Sequence, residues 1–160
     1  MNSLIEQYSQ GGQKLAKAVA GLTAEEMRAV PIPGKWSTHT VVIHLCDAEM
    51  AFADRIRRII ASDNPQLLAW DENQFSANLH YDDQSVEEAL ILIEATRRQL
   101  TRVLKALPEA AFARTGQHSE RGPQTLETVV GFAISHLDHH LKFIAEKRAK
   151  LGKEVVPPHN

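Results

Sequence analysis

Apolar side chains recur at helical spacing in four long stretches of this chain, separated by proline, glycine and polar clusters. The first carries Leu4, Leu15, Val19 and Leu22 on one side, with Ser3 placed to cap it. Gly11-Gly12 weakens that helix and marks either close helix contact or a bend. Thr23, with Glu26 three residues on, reads as a capping box opening a short helix or turn. Pro31-Ile-Pro-Gly34 then breaks the chain. Ser37 or Thr38 caps a second long helix, whose stripe is Val41, Leu45, Ala48, Phe52, Ile56 and Ile59. Asp54, Arg55, Arg57 and Arg58 lie mostly away from that stripe.

Ser62-Asp-Asn-Pro65 ends the second helix. Residues 66–84 are polar and aromatic (Trp70, Asp71, Glu72, Asn73, Phe75, His80, Tyr81) with weak periodicity. That is long for a bundle connection, so the second and third helices need not be antiparallel neighbours. Ser85 caps the third helix, with Glu88 at the box position and Val86, Leu90, Ile93, Leu100, Val103, Leu104 and Leu107 on its apolar side. Pro108 stops it, and residues 113–123 read as a loop. Thr125 caps the fourth helix, whose stripe is Leu126, Val130, Ala133, Leu137, Leu141 and Ile144. Lys147, Arg148 and Lys150 suit its C-terminus. Gly152 ends it, leaving a tail from Val155 to Asn160. No β-alternation, repeat or low-complexity segment is visible. The pattern predicts an all-α four-helix bundle with a long connection between helices 2 and 3, one domain over residues 1–160.

Composition narrows the function classes. The chain has 160 residues, 43% of them apolar and 24% charged, which suffices for a real core. A net charge of −2 gives no bulk electrostatic case for nucleic acid or an anionic membrane. The single cysteine, Cys46, excludes an internal disulfide framework and points to a reducing compartment. The N-terminus has no basic region followed by an apolar one, and no apolar run approaches the roughly 18 residues of a membrane span. The expected location is the cytoplasm.

The chemistry lies in the histidines. His136 and His140, in His136-Leu-Asp-His-His140, share one helix face about one turn, ~5.4 Å, apart. His44 borders the stripe of the second helix. A lone histidine on an apolar face is more often a packed core residue, and an i,i+4 pair arises by chance among eight histidines. Several imidazoles bordering one core would, however, each need a partner for a buried nitrogen, and a shared metal satisfies them together. Three histidines leave a coordination position open, the arrangement of a catalytic rather than a structural ion. The other histidines rank lower. His139 points to solvent, His39 lies in a first turn, and His159 is in the tail. His80 and His118 are loop residues that could line a pocket mouth. Asp47, one turn after His44, either orients an imidazole from behind the ligand set or pairs with a cation. Cys46 does not read as a ligand.

Gly34-Lys-Trp-Ser37 leading into His44-Leu-Cys-Asp-Ala-Glu49, then His118-Ser-Glu-Arg-Gly122 with Thr125-Leu-Glu127, then His136-Leu-Asp-His-His140-Leu-Lys-Phe-Ile144, together resemble the DinB-like, or YfiT-like, superfamily. The resemblance spans roughly residues 2–151. It implies a four-helix bundle in which one histidine of helix 2 and two of helix 4 bind a divalent metal, often zinc or nickel. Those positions are His44, His136 and His140 here. It further implies a metal-dependent hydrolase, or a thiol-dependent S-transferase or isomerase using a low-molecular-weight thiol such as bacillithiol, mycothiol or glutathione, and commonly a homodimer. The expected partner is a small electrophilic substrate, with Asp47 and His118 as candidate supporting residues. The competing expectation is a non-enzymatic metal-binding or stress-response dimeric bundle.

Overall fold

Side-chain caps start most of the long helices. In the computed structural model, which describes residues 1–155, Ser37 Oγ accepts from the Thr40 amide and opens a helix that runs to Ala61. Ser85 and Thr125 cap two others in the same way, through the amides of Glu88 and Thr128. The elements in order are α1 (Asn2–Val19), α2 (Ala24–Arg28), α3 (Thr38–Ala61), β1 (Gln66–Leu67), α4 (Glu72–Asn78), α5 (Val86–Ala106), β2 (Thr115–His118), β3 (Gly122–Thr125) and α6 (Leu126–Lys150). Thr23 and Glu26 form the expected capping box of α2. Ser3 does not cap α1: the helix begins two residues earlier, behind Met1, and the Ser3 hydroxyl accepts from Gln7 instead.

α1, α3, α5 and α6 form the four-helix bundle. α1 packs on α5 and α6, and α3 packs on the same two, so α1 and α3 take opposite corners. The stripes read from the sequence mostly point inward. Val103 is the exception at 39% exposed, since one residue before Leu104 it stands about 100° around the helix. Arg55, expected to face away, is buried, and its Nη2 donates to the Leu68 carbonyl at 2.6 Å. The connection after α3 covers that side of the helix.

The core divides into two apolar clusters. Ile5, Ile56, Leu100, Leu104 and Val130 belong to one, and Leu15, Ile43, Ile93, Leu137 and Ile144 to the other. At the changeover sits a buried polar knot. Glu49 accepts from the Tyr8 hydroxyl at 2.6 Å and from Arg97 Nε at 2.9 Å. Arg97 also donates to the carbonyls of Tyr8 and Ala133. Gly11 makes room for it, for a Cβ there would come within 1.8 Å of Arg97 Nη1. The glycine pair of α1 thus marks close approach to α5, not a bend.

Residues 66–84 and 113–125 are less loop-like than the sequence suggests. β1 pairs in parallel with β2, and β2 pairs antiparallel with β3. Strands of two and four residues are too short to show alternation. This patch holds the long connection against the hairpin that leads into α6. The Ser119 amide donates to the Leu67 carbonyl, and the Ala69 amide to Ser119 Oγ. Among the described residues no helix is long and apolar enough to cross a membrane. His159 and the rest of the tail from residue 156 lie outside the described residues.

Candidate metal centre

α3 and α6 are neighbours, and their facing sides bring His44, His136 and His140 together. One ligand nitrogen from each lies within 4.8 Å of the other two. His44 Nε2 is 3.2 Å from His136 Nε2. Ligand nitrogens about 2.0–2.1 Å from a tetrahedral zinc ion stand roughly 3.3 Å apart, so this spacing suits a shared ion. Nδ1 of His44 and Nδ1 of His140 are buried without a hydrogen-bond partner. Imidazole nitrogens buried without a protein partner are costly unless something else engages them. The residues present therefore fit a divalent ion.

Burial sets the protonation state. It lowers the His44 pKa to about 4, with help from His136. Burial lowers His136 to about 4, with His139 and Arg97 adding repulsion. His140 falls to about 3, through burial first and then His136 and His44. All three are neutral at pH 7, the form that ligates metal.

The surroundings hold the rings in place. His44 is fully buried, with the Trp36 ring 5.1 Å away and Trp70 stacked at 5.5 Å. Trp70 comes from the long connection, as does Glu72, the first residue of α4. Glu72 Oε2 lies 3.8 Å from His44 Nε2. With the imidazole neutral the two form no ion pair, which leaves a carboxylate oxygen free beside the histidine cluster. Two cavities flank the cluster, of about 330 Å³ and about 600 Å³, and Glu72 and His136 border both. Ala48, Phe52, Arg55, Trp70, His118 and Arg121 line the smaller.

The supporting residues expected from the sequence are arranged differently. Asp47 does not orient an imidazole, because its Oδ2 accepts from the Tyr81 hydroxyl at 2.5 Å. Tyr81 arrives on the far end of the same connection and takes that carboxylate. Glu49, a carboxylate on the same helix, is consumed by Arg97 and Tyr8. His118 sits in the smaller cavity with its Nδ1 accepting from the Glu120 amide. Burial, then Arg55 and Arg121, lower its pKa. His39 is buried, its Nε2 2.9 Å from the Tyr81 carbonyl, and takes no part. His139 is exposed as expected, though its ring meets His140 at 5.5 Å. Cys46 is buried, its thiol pKa raised to about 11 by burial first, and it is no ligand. Glu72 is the residue the sequence did not single out. Its one visible signal was a place in a connection too long for its topological task.

Comparison with known proteins agrees with this picture. The model of the DinB superfamily matches residues 7–144. A "Putative metal-dependent hydrolase" of Oceanobacillus iheyensis is 28% identical over 144 residues, 90% of this chain and 83% of that protein. The protein of the same designation named YfiT, from Bacillus subtilis, is 26% identical over 140 residues, 87% of this chain and 79% of that one. The solved structure of YfiT, described as an unusual four-helix bundle topology, superposes with a TM-score of 0.88 at 24% identity. It covers 96% of this chain and 88% of its own, so the two share a fold.

Proposed function

The chain belongs to the DinB superfamily, and from that premise we propose that it is a divalent-metal-dependent enzyme whose ion is held by His44, His136 and His140. Zinc and nickel are among the ions that imidazole ligands suit. The observation that carries the reading is the convergence of three neutral imidazoles, from two rigid helices, within 4.8 Å. A bound ion supplies Lewis acidity, polarising a carbonyl or acidifying a water or thiol beside it.

The chain's own residues supply the rest. The bundle fixes the ligand helices, so binding requires little rearrangement. Trp36 and Trp70 shield His44 from bulk water. Glu72 Oε2 is the group placed to accept a proton from whatever sits at the open position. The flanking cavities are the size of small molecules, not of polymers. The substrate is thus a small electrophile, attacked by water in a hydrolase or by a low-molecular-weight thiol in an S-transferase. The names of the relatives favour hydrolysis. The work is done in the cytoplasm by a homodimer.

Metal content by mass spectrometry on untagged protein tests the centre, beside the His136→Ala/His140→Ala double variant. About one equivalent in the wild type and little in the variant is expected. Screens with ester or amide substrates, and with a thiol plus an electrophile, then separate the two chemistries. Turnover should vanish in His140→Ala. Absence of metal after loading overturns the proposal, and metal binding without any turnover leaves a non-enzymatic metal-binding bundle.

A further inference from the structure

The larger cavity, about 600 Å³, reaches from the histidine cluster along α6. Its far wall holds Lys147, which is only 3% exposed. A cation in the last turn of a helix ordinarily stays in water, where the helix dipole favours it at no desolvation cost. Lys147 does not. Among the described residues its ammonium has no carboxylate within ion-pair distance and no hydrogen-bond acceptor. Its nearest aromatic neighbour is Phe143, with Nζ 5.7 Å from the ring centroid. Phe143 is one turn earlier, so the side chain leans back along the helix towards His140. Burial lowers its pKa, adjacent Glu146 opposes this, and the nearby cation of Lys35 adds to the lowering. Lys35 lines the same cavity. Glu72 is the acidic residue of that lining, and it sits beside His44. The stem of Lys147 is enclosed while its ammonium, without an ion pair, faces a cavity that it shares with the cation of Lys35, and an anion is the partner such a wall suits.

We propose that Lys147, with Lys35, is the anchor for a carboxylate at one end of a small ligand whose other end reaches the three-histidine centre. This rests on the reading of that centre as a metal site, and it narrows the ligand to a short, carboxylate-bearing molecule. The ligand is the electrophilic substrate or the thiol co-substrate. Lys147 is a binding residue, not a catalytic one.

The probes are 3-mercaptopropionate, its uncharged methyl ester, and glutarate. On cobalt-loaded protein the thiolate-to-metal charge-transfer band reports thiol binding. The acid is expected to bind about tenfold tighter than the ester. Lys147→Met, which keeps the apolar stem, should abolish that preference while cobalt content and ester affinity stay as they were. Lys147→Gln serves if the methionine variant does not fold. A preference that survives in both variants, or none in the wild type, overturns the anchor. The metal-free protein provides a separate arm. Glutarate should raise the Tm of the wild type and not that of Lys147→Met, and an equal shift in both, or none, counts against the anchor. Failure to load cobalt together with a Lys147-dependent glutarate shift would sink the metal reading and keep the anion site.

Discussion

Arg97 grips one oxygen of Glu49 with two nitrogens, Nη2 at 2.8 Å and Nε at 2.9 Å, where the two apolar clusters of the core meet. Both side chains are almost wholly buried. Glu49 belongs to α3, and Arg97 also donates to the Ala133 carbonyl of α6, so the pair ties together the two helices that carry the histidines.

Removing one partner leaves the other charged, buried and unpaired. Arg97→Met is expected to cost about 3–5 kcal/mol. The double variant Glu49→Leu/Arg97→Met should recover much of that loss. Urea denaturation of the two variants and the wild type checks this, and a double variant no more stable than Arg97→Met would contradict it.

Gly11 and Gly131 make a matched test of close approach. A Cβ at Gly11 would strike Arg97 and would also lie 2.7 Å from Leu137 Cδ2, whereas at Gly131 it meets nothing within 4 Å. Gly11→Ala should destabilise by about 1–3 kcal/mol through overpacking. Gly131→Ala, inside α6, should stabilise by about 0.5–1 kcal/mol through helix propensity. Thermal melts of both variants give the signs directly.

The neutral histidine cluster makes the metal-free protein sensitive to acid. Unfolded, each imidazole titrates near 6.5, but folded His44 and His136 wait until about 4 and His140 until about 3. Below pH 6.5 the unfolded chain therefore binds protons that the folded chain refuses. Stability is whole above that pH and is lost progressively down to about pH 3, with up to three protons contributing to the slope. Urea melts at pH 7, 6 and 5 should show the fall, and His136→Ala/His140→Ala should flatten it.

Glu72 should matter to the ion as well as to the reaction. Its carboxylate stands beside His44 on a short helix that is exposed at its first residue. Glu72→Ala is expected to weaken metal binding by about tenfold at most, since it removes a carboxylate that stands near His44 without a hydrogen bond to it. Competition with a chromophoric chelator measures this, and an unchanged affinity would confine Glu72 to the substrate side.

Much of this was legible in the chain. The apolar stripes gave the bundle because their period is carried by residues a few positions apart. The centre was legible for the same reason: His136 and His140 share one face by local spacing, and His44 borders a stripe. What stayed hidden depends on distant pairing. The pairing of Glu49 with Arg97 carries no local signal, since neither shows its partner some fifty residues away. Lys147 read only as a cation suited to a helix end, because nothing in its own helix signals that it is enclosed. Asp47 lay on the expected side of α3, but Tyr81 claims it from a connection with no period to read. Trp70 and Glu72 reach the centre only because β1 pairs with β2, about fifty residues further on.

That pairing separates two kinds of position. The histidines stand on helices bound into the core, where substitution disturbs the whole bundle. The roof over them, from Leu68 to Asn78, hangs from a short parallel pairing and a few hydrogen bonds such as that of Ala69 to Ser119. Mutations in the roof can therefore accumulate at little cost to folding while they reshape what faces the ion. A lineage built on this plan can change its chemistry by redrafting about eleven residues and leave the scaffold untouched.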